Sequence, residues 1–85
     1  MEIKVEIPEY DPNTGIKYNW EPGFDIETKY EEGTVIFMAN KAGLISLAKH
    51  LLNLAQDEIP LSYHLHFNEN NSLNEGSVEL IVQKK

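Results

Sequence analysis

A chain of 85 residues is long enough for one hydrophobic core and a single domain, residues 1–85, with little to spare. Its formal net charge of −7, with lysine as the only cation, argues against the clustered Lys and Arg that nucleic-acid binding requires, and the lack of cysteine removes disulfides and thiolate metal sites. No apolar run approaches the ~20 residues of a membrane span, and the charged, alternating N-terminus does not read as a signal peptide, so the expected compartment is the cytoplasm.

The charge is unevenly placed. Residues 1–32 hold nine carboxylates against Lys4, Lys17 and Lys29, a local net of −6, and the rest of the chain is close to neutral. Such an acidic side would steer a basic partner toward it, or simply keep the surface solvated.

In chain order, Ile3, Val5 and Ile7 alternate with charged residues, the period of a strand buried on one face, until Pro8 ends it. Asp11-Pro12 through Gly15 has turn chemistry. Ile16, Tyr18 and Trp20 alternate as a second strand, Glu21-Pro22-Gly23 reads as a tight connection, and Phe24, Ile26, Thr28 and Tyr30 form a third strand. From Val35 to Ala39 every residue is apolar, which suits a strand in the middle of a sheet.

The stretch from Asn40 to Asp57 carries the clearest periodicity. Leu44, Ile45, Leu47, Ala48, Leu51, Leu52, Leu54 and Ala55 fall within half of a helical wheel, and Ser46, Lys49, His50, Asn53, Gln56 and Asp57 fill the other half. Asn40 suits the N-cap, and Pro60 closes off the C-terminal side. Burying the apolar half against a sheet would contribute roughly 1.5–3 kcal/mol for each large residue. Leu51, at its centre, would then be the costliest position to truncate, at about 2–5 kcal/mol.

After the helix, Ser62 to Asn68 reads as a strand with Tyr63, Leu65 and Phe67 on one face and His64, His66 and Asn68 on the other. The polar loop from Glu69 to Gly76 leads to a last strand, Ser77 to Gln83, with Val78, Leu80 and Val82 inward. The expected fold is therefore α+β: a single, mostly antiparallel sheet of about six strands in the order β-β-β-β-α-β-β, with one long amphipathic helix packed on one face.

Residues able to support chemistry are few. His64 and His66 project from one strand face and share its outward side with Glu79, yet no further histidine pair, HExxH motif or cysteine completes a metal site. Ser46 and His50 sit one helical turn apart without an orienting acid, and read as exposed side chains of the helix's polar half. No cofactor motif is present. The expectation is a protein that is not an enzyme. Interaction has better support: Ile36, Met38 and Ile81 would centre the face opposite the helix, ringed by His64, His66, Asn68 and Glu79, with Asp25, Glu27, Glu31 and Glu32 to one side. The alternative is that the N-terminal segment or Trp20 covers Ile36 and Met38.

Asn40-Lys41-Ala42-Gly43-Leu44, Leu47-Ala48, Leu51-Leu52, His64-Leu65-His66 and Gly76-Ser77-Val78-Glu79-Leu80-Ile81 together resemble the immunity protein family numbered thirty-two, from bacterial polymorphic toxin systems. The resemblance spans residues 38–83. It departs at Asn68, where that pattern often has a carboxylate, which weakens a metal site further. The resemblance implies a small cytoplasmic antidote that binds a cognate protein toxin, with no nucleic acid, membrane or cofactor involved. A basic nuclease would be a fitting target for the acidic side. A metal-binding protein or metal-dependent enzyme centred on His64 and His66, and a structural homodimer formed through the open face or an edge strand, are the competing readings.

Overall fold

A computed structural model describes all 85 residues. It contains β1 (Ile26–Glu31), β2 (Thr34–Ala39), α1 (Lys41–Leu54), β3 (His64–Phe67) and β4 (Leu80–Gln83). β1 and β2 form one antiparallel hairpin, and β3 and β4 form another. The expected single sheet of about six strands is thus replaced by two separate two-stranded sheets. The expected long helix is one of 14 residues.

Two expected strands, residues 3–7 and 16–20, are absent because neither finds a ladder partner. Alternation decides which side chains share a face, but it does not supply the neighbouring strand whose N–H and C=O groups a ladder needs. Around residues 16–21, side chains accept the backbone donors instead: Ile16 N–H donates to the Tyr63 hydroxyl at 2.8 Å, Asn19 N–H to His50 Nε2 at 3.1 Å, and Glu21 N–H to Ser46 Oγ at 2.8 Å. The segment is a strap laid over the helix and β3.

The first hairpin forms for local reasons. Glu32 and Gly33 both have positive φ, 46° and 80°, the two-residue loop whose twist matches flanking strands. Register pairs Ile26 with Ala39, Thr28 with Phe37 and Tyr30 with Val35 on one face, and Glu27 with Met38, Lys29 with Ile36 and Glu31 with Thr34 on the other. β2, expected in the middle of a sheet, pairs only with β1 and is an edge strand with Val35 and Met38 exposed. Of its continuous apolar run only Phe37 and Ala39 pack against the core.

The second hairpin follows the expected parity from Leu80 onward, but Val78, expected inward, is 39 % exposed and Ser77 is buried in its place, its hydroxyl accepting from Thr28 N–H. Leu65 and Phe67 are buried, with Leu80 and Val82 packed against the same core, and the alternate positions face outward. Main-chain bonds tie the approach to β4 onto β1: Asn74 N–H donates to Ile26 O at 2.8 Å and Val78 N–H to Thr28 O at 3.2 Å. Ile26, Leu54, Ile59, Leu65, Phe67 and Leu73 make the shared core.

The helix departs furthest from expectation. Asn40 is the N-cap, its side-chain oxygen accepting from Gly43 N–H at 2.8 Å. But the residues it buries are Gly43, Ser46, His50, Asn53 and Leu54. Leu44, Leu51 and Leu52 are 53 %, 41 % and 52 % exposed, and Ala48 and Ala55 are exposed beside them. At 3.6 residues per turn the centre of the buried face lies about 140° around the axis from the centre of the stripe that sequence periodicity assigned to the core, and of that stripe Leu54 is buried and Leu47 packs against the core. Leu51 is therefore not a core position.

The cause is the strap. It presents backbone donors that only polar side chains can accept, and it brings its own aromatic rings to fill the space. Ser46 Oγ accepts from Glu21 and donates to Ala42 O at 2.8 Å. Trp20 lies 4.3 Å from the His50 ring between centroids and stacks on Phe24, while Tyr18 and Phe67 close the cluster. No buried side-chain nitrogen or oxygen is left without a partner. Gly43 seats the helix on β1, since a Cβ there would meet Ile26 Cγ1 at 2.8 Å and Asp25 O at 2.9 Å.

Candidate functional site

The residues expected at a binding surface fall into two sets, one on each hairpin. On the outer face of the first, Glu27 sits opposite Met38, Lys29 opposite Ile36, and Glu31 opposite Thr34. Glu32 occupies the turn, and Asp25 lies just before β1, accepting from Asn74 Nδ2 at 2.7 Å. Lys29 pairs with Glu31 at 3.5 Å across exposed side chains, so it contributes little to stability, and Glu27 and Glu32 make no ion pair. Trp20 stacks on Phe24 and lies tilted against the His50 ring, 4.3 Å between centroids. Met38 is exposed, with Ile36 partly so.

On the second hairpin the alternation of β3 places His64 and His66 outward, with Ile81 across from His66. Glu79 Oε2 accepts from Asn68 Nδ2 at 3.1 Å and lies 3.3 Å from His66 Nδ1. The Asn68 hydrogen bond, then that of His66, holds the Glu79 carboxyl below its ordinary value. The two imidazole centroids are 4.8 Å apart, but His64 Nδ1 is turned toward Ser62 O at 3.1 Å. No group of three His, Asp or Glu side chains converges where it could hold a metal ion. No ion pair joins the two hairpins' sets.

Ser46 and His50, expected as exposed residues of the polar half, are buried structural groups. His50 Nδ1 faces Ser46 O at 2.6 Å while Nε2 accepts from Asn19 N–H. That leaves neither nitrogen free to activate the Ser46 hydroxyl, which is itself engaged twice. Burial, above all, pushes the His50 pKa below its ordinary 6.5, with Lys49 adding to the shift and the Ser46 bond opposing it.

A cavity between the N-terminal segment and the helix is lined by Ile3, Val5, Ile7, Glu21, Ile45 and Lys49, among others. Glu21 and Lys49 pair there at 3.2 Å. Nothing in that lining is arranged as nucleophile and base. The surface that periodicity alone concealed is the exposed apolar stripe of α1, Leu44 to Ala55.

No helix is long and apolar enough to cross a membrane. No curated protein and no solved structure matches the chain. A family model described as Immunity protein 32 matches residues 34–85, taking in β2, α1, β3 and β4. That match covers more than half of the sequence, and the chain belongs to the Immunity protein 32 family.

Proposed function

We propose that this chain is a non-catalytic immunity protein that binds a cognate bacterial toxin in the cytoplasm and neutralises it by occupying the toxin's surface. The observation that carries the reading is the outer face of the first hairpin. Ile36 and Met38 lie among Asp25, Glu27, Glu31 and Glu32, a small apolar centre with a mainly acidic rim, on a strand edge that pairs with nothing. Lys29, opposite Ile36, is the single cation there and pairs with Glu31. Charge of one sign accelerates encounter with a basic partner, and the apolar centre then slows dissociation. A toxin with a basic substrate cleft, such as a nuclease, fits that surface. His64, His66, Asn68 and Glu79 extend the contact on the second hairpin.

The test uses the cognate toxin. Reversing Asp25, Glu27, Glu31 and Glu32 to lysine together should abolish protection and slow association, with the wild-type association rate falling as salt is raised. Unchanged toxin affinity in that variant would remove the acidic hairpin from the interface.

A further inference from the structure

We infer that the exposed apolar stripe of α1 is a self-association surface, on which a second copy of this chain docks its own α1 in antiparallel orientation. Leu44, Ala48, Leu51 and Ala55 follow one another at spacings of four, three and four, the seam of a helix that packs along another helix. They are exposed, flanked by the exposed Leu52, and the strap covers a different side of the helix. A continuous apolar seam of about 17 Å, at 1.5 Å per residue, is not the ordinary scatter of single exposed leucines.

The occupant is specified by size and by charge. In an antiparallel pair related by a two-fold axis midway between Ala48 and Leu51, Leu44 faces the second copy's Ala55, and Ala48 faces the second copy's Leu51. Every leucine meets an alanine, which lets the two helices interdigitate at close range. A parallel pair in register would set leucine against leucine and alanine against alanine.

The charges at the helix ends point the same way. Lys41, in the first turn, lies against the positive end of the helix dipole, and Asp57 and Glu58 follow its negative end. The first turn holds no acidic residue and the last turn no basic one. Each placement is unfavourable for an isolated helix, and none of the three residues makes an ion pair within the chain. The antiparallel two-fold reverses this. It carries Lys41 to the C-terminal end of the second copy's helix, beside that copy's Asp57 and Glu58, at both ends of the seam. The acidic outer face of the first hairpin takes no part in the pairing.

Sedimentation equilibrium of the full chain over a concentration series tests the proposal. A monomer–dimer equilibrium is expected in the wild type. Leu51→Glu and, separately, Ala48→Lys should each yield monomer with an unchanged circular dichroism spectrum, because both positions are exposed. Lys41→Glu should weaken the dimer by roughly two- to five-fold for each of the two symmetry-related pairs, and the double variant Lys41→Glu, Glu58→Lys should restore it. A wild type that stays monomeric at every concentration overturns the proposal, as does a dimer indifferent to Leu51→Glu. Failure of the charge swap to restore association overturns the antiparallel register. Loss of toxin binding by Leu51→Glu in a monomeric wild type would assign the seam to the toxin instead.

Discussion

The backbone N–H of Asn19 donates to Nε2 of His50, and this one bond decides the state of the imidazole. With Nε2 accepting, Nδ1 must carry the proton it donates to Ser46 O, so the folded protein holds a neutral His50 in a single tautomer. The strap and the helix are therefore coupled through a titratable group that is only 2 % exposed.

Stability should consequently fall in mild acid. The folded His50 pKa lies below 6.5, so between those two values the unfolded chain binds more protons than the folded one. The contribution is complete above pH 6.5 and is lost progressively as pH drops toward the folded value. The slope from one such proton is at most about 1.4 kcal/mol per pH unit. Urea unfolding of wild type and His50→Gln across this range checks it: the variant should be less stable at neutral pH and flatter below 6.5. Parallel profiles would assign the acid sensitivity to other groups.

Gly43 should tolerate no side chain. Alanine gains about 1 kcal/mol of helix propensity over glycine, but its Cβ would sit 2.8 Å from Ile26 Cγ1 and 2.9 Å from the Asp25 carbonyl oxygen, a backbone atom that cannot swing aside. Gly43→Ala should destabilise despite that gain, and Gly43→Val should do so by about 1–3 kcal/mol or more. The midpoint of chemical denaturation reads both.

Truncating the helix leucines should separate its two faces. Leu54 is a buried member of the core, and Leu54→Ala should cost about 2–5 kcal/mol. Leu51→Ala, measured at protein concentrations low enough to keep the chain monomeric, should cost about 1 kcal/mol or less, since much of that side chain is already in water. Equal losses at the two positions would mean that the helix buries its apolar stripe after all.

Zinc should leave the melting temperature unchanged. His64 and His66 share a face, but His64 is engaged with Ser62 O and no third ligand converges with them. Tight binding to the folded state would raise the melting temperature as zinc is titrated, so a rise would revive the metal-binding reading.

Read alone, the 85 residues determined what depends on near neighbours in the chain. The Asn40 cap, the helix that follows, and the inward and outward faces of β3 and β4 are legible, because capping and side-chain alternation act within a few residues. So is the family, through the helix and the His-x-His and Gly-Ser-x-Glu-Leu strands. Pairing was not legible. Residues 3–7 and 16–20 alternate like strands, yet whether a neighbour's backbone lies beside them is settled across the whole fold. The same holds for which side of α1 faces inward. Amphipathic periodicity assumes that the core is reached by apolar side chains alone. Here Asn19 and Glu21 offer backbone donors over the helix, and Ser46 and His50 accept them under the cover of Tyr18, Trp20 and Phe67. Only the tertiary structure turned Leu44, Leu51 and Leu52 outward while Leu47 and Leu54 stay against the core, because only there do residues 25 and 31 positions apart satisfy each other's hydrogen bonds.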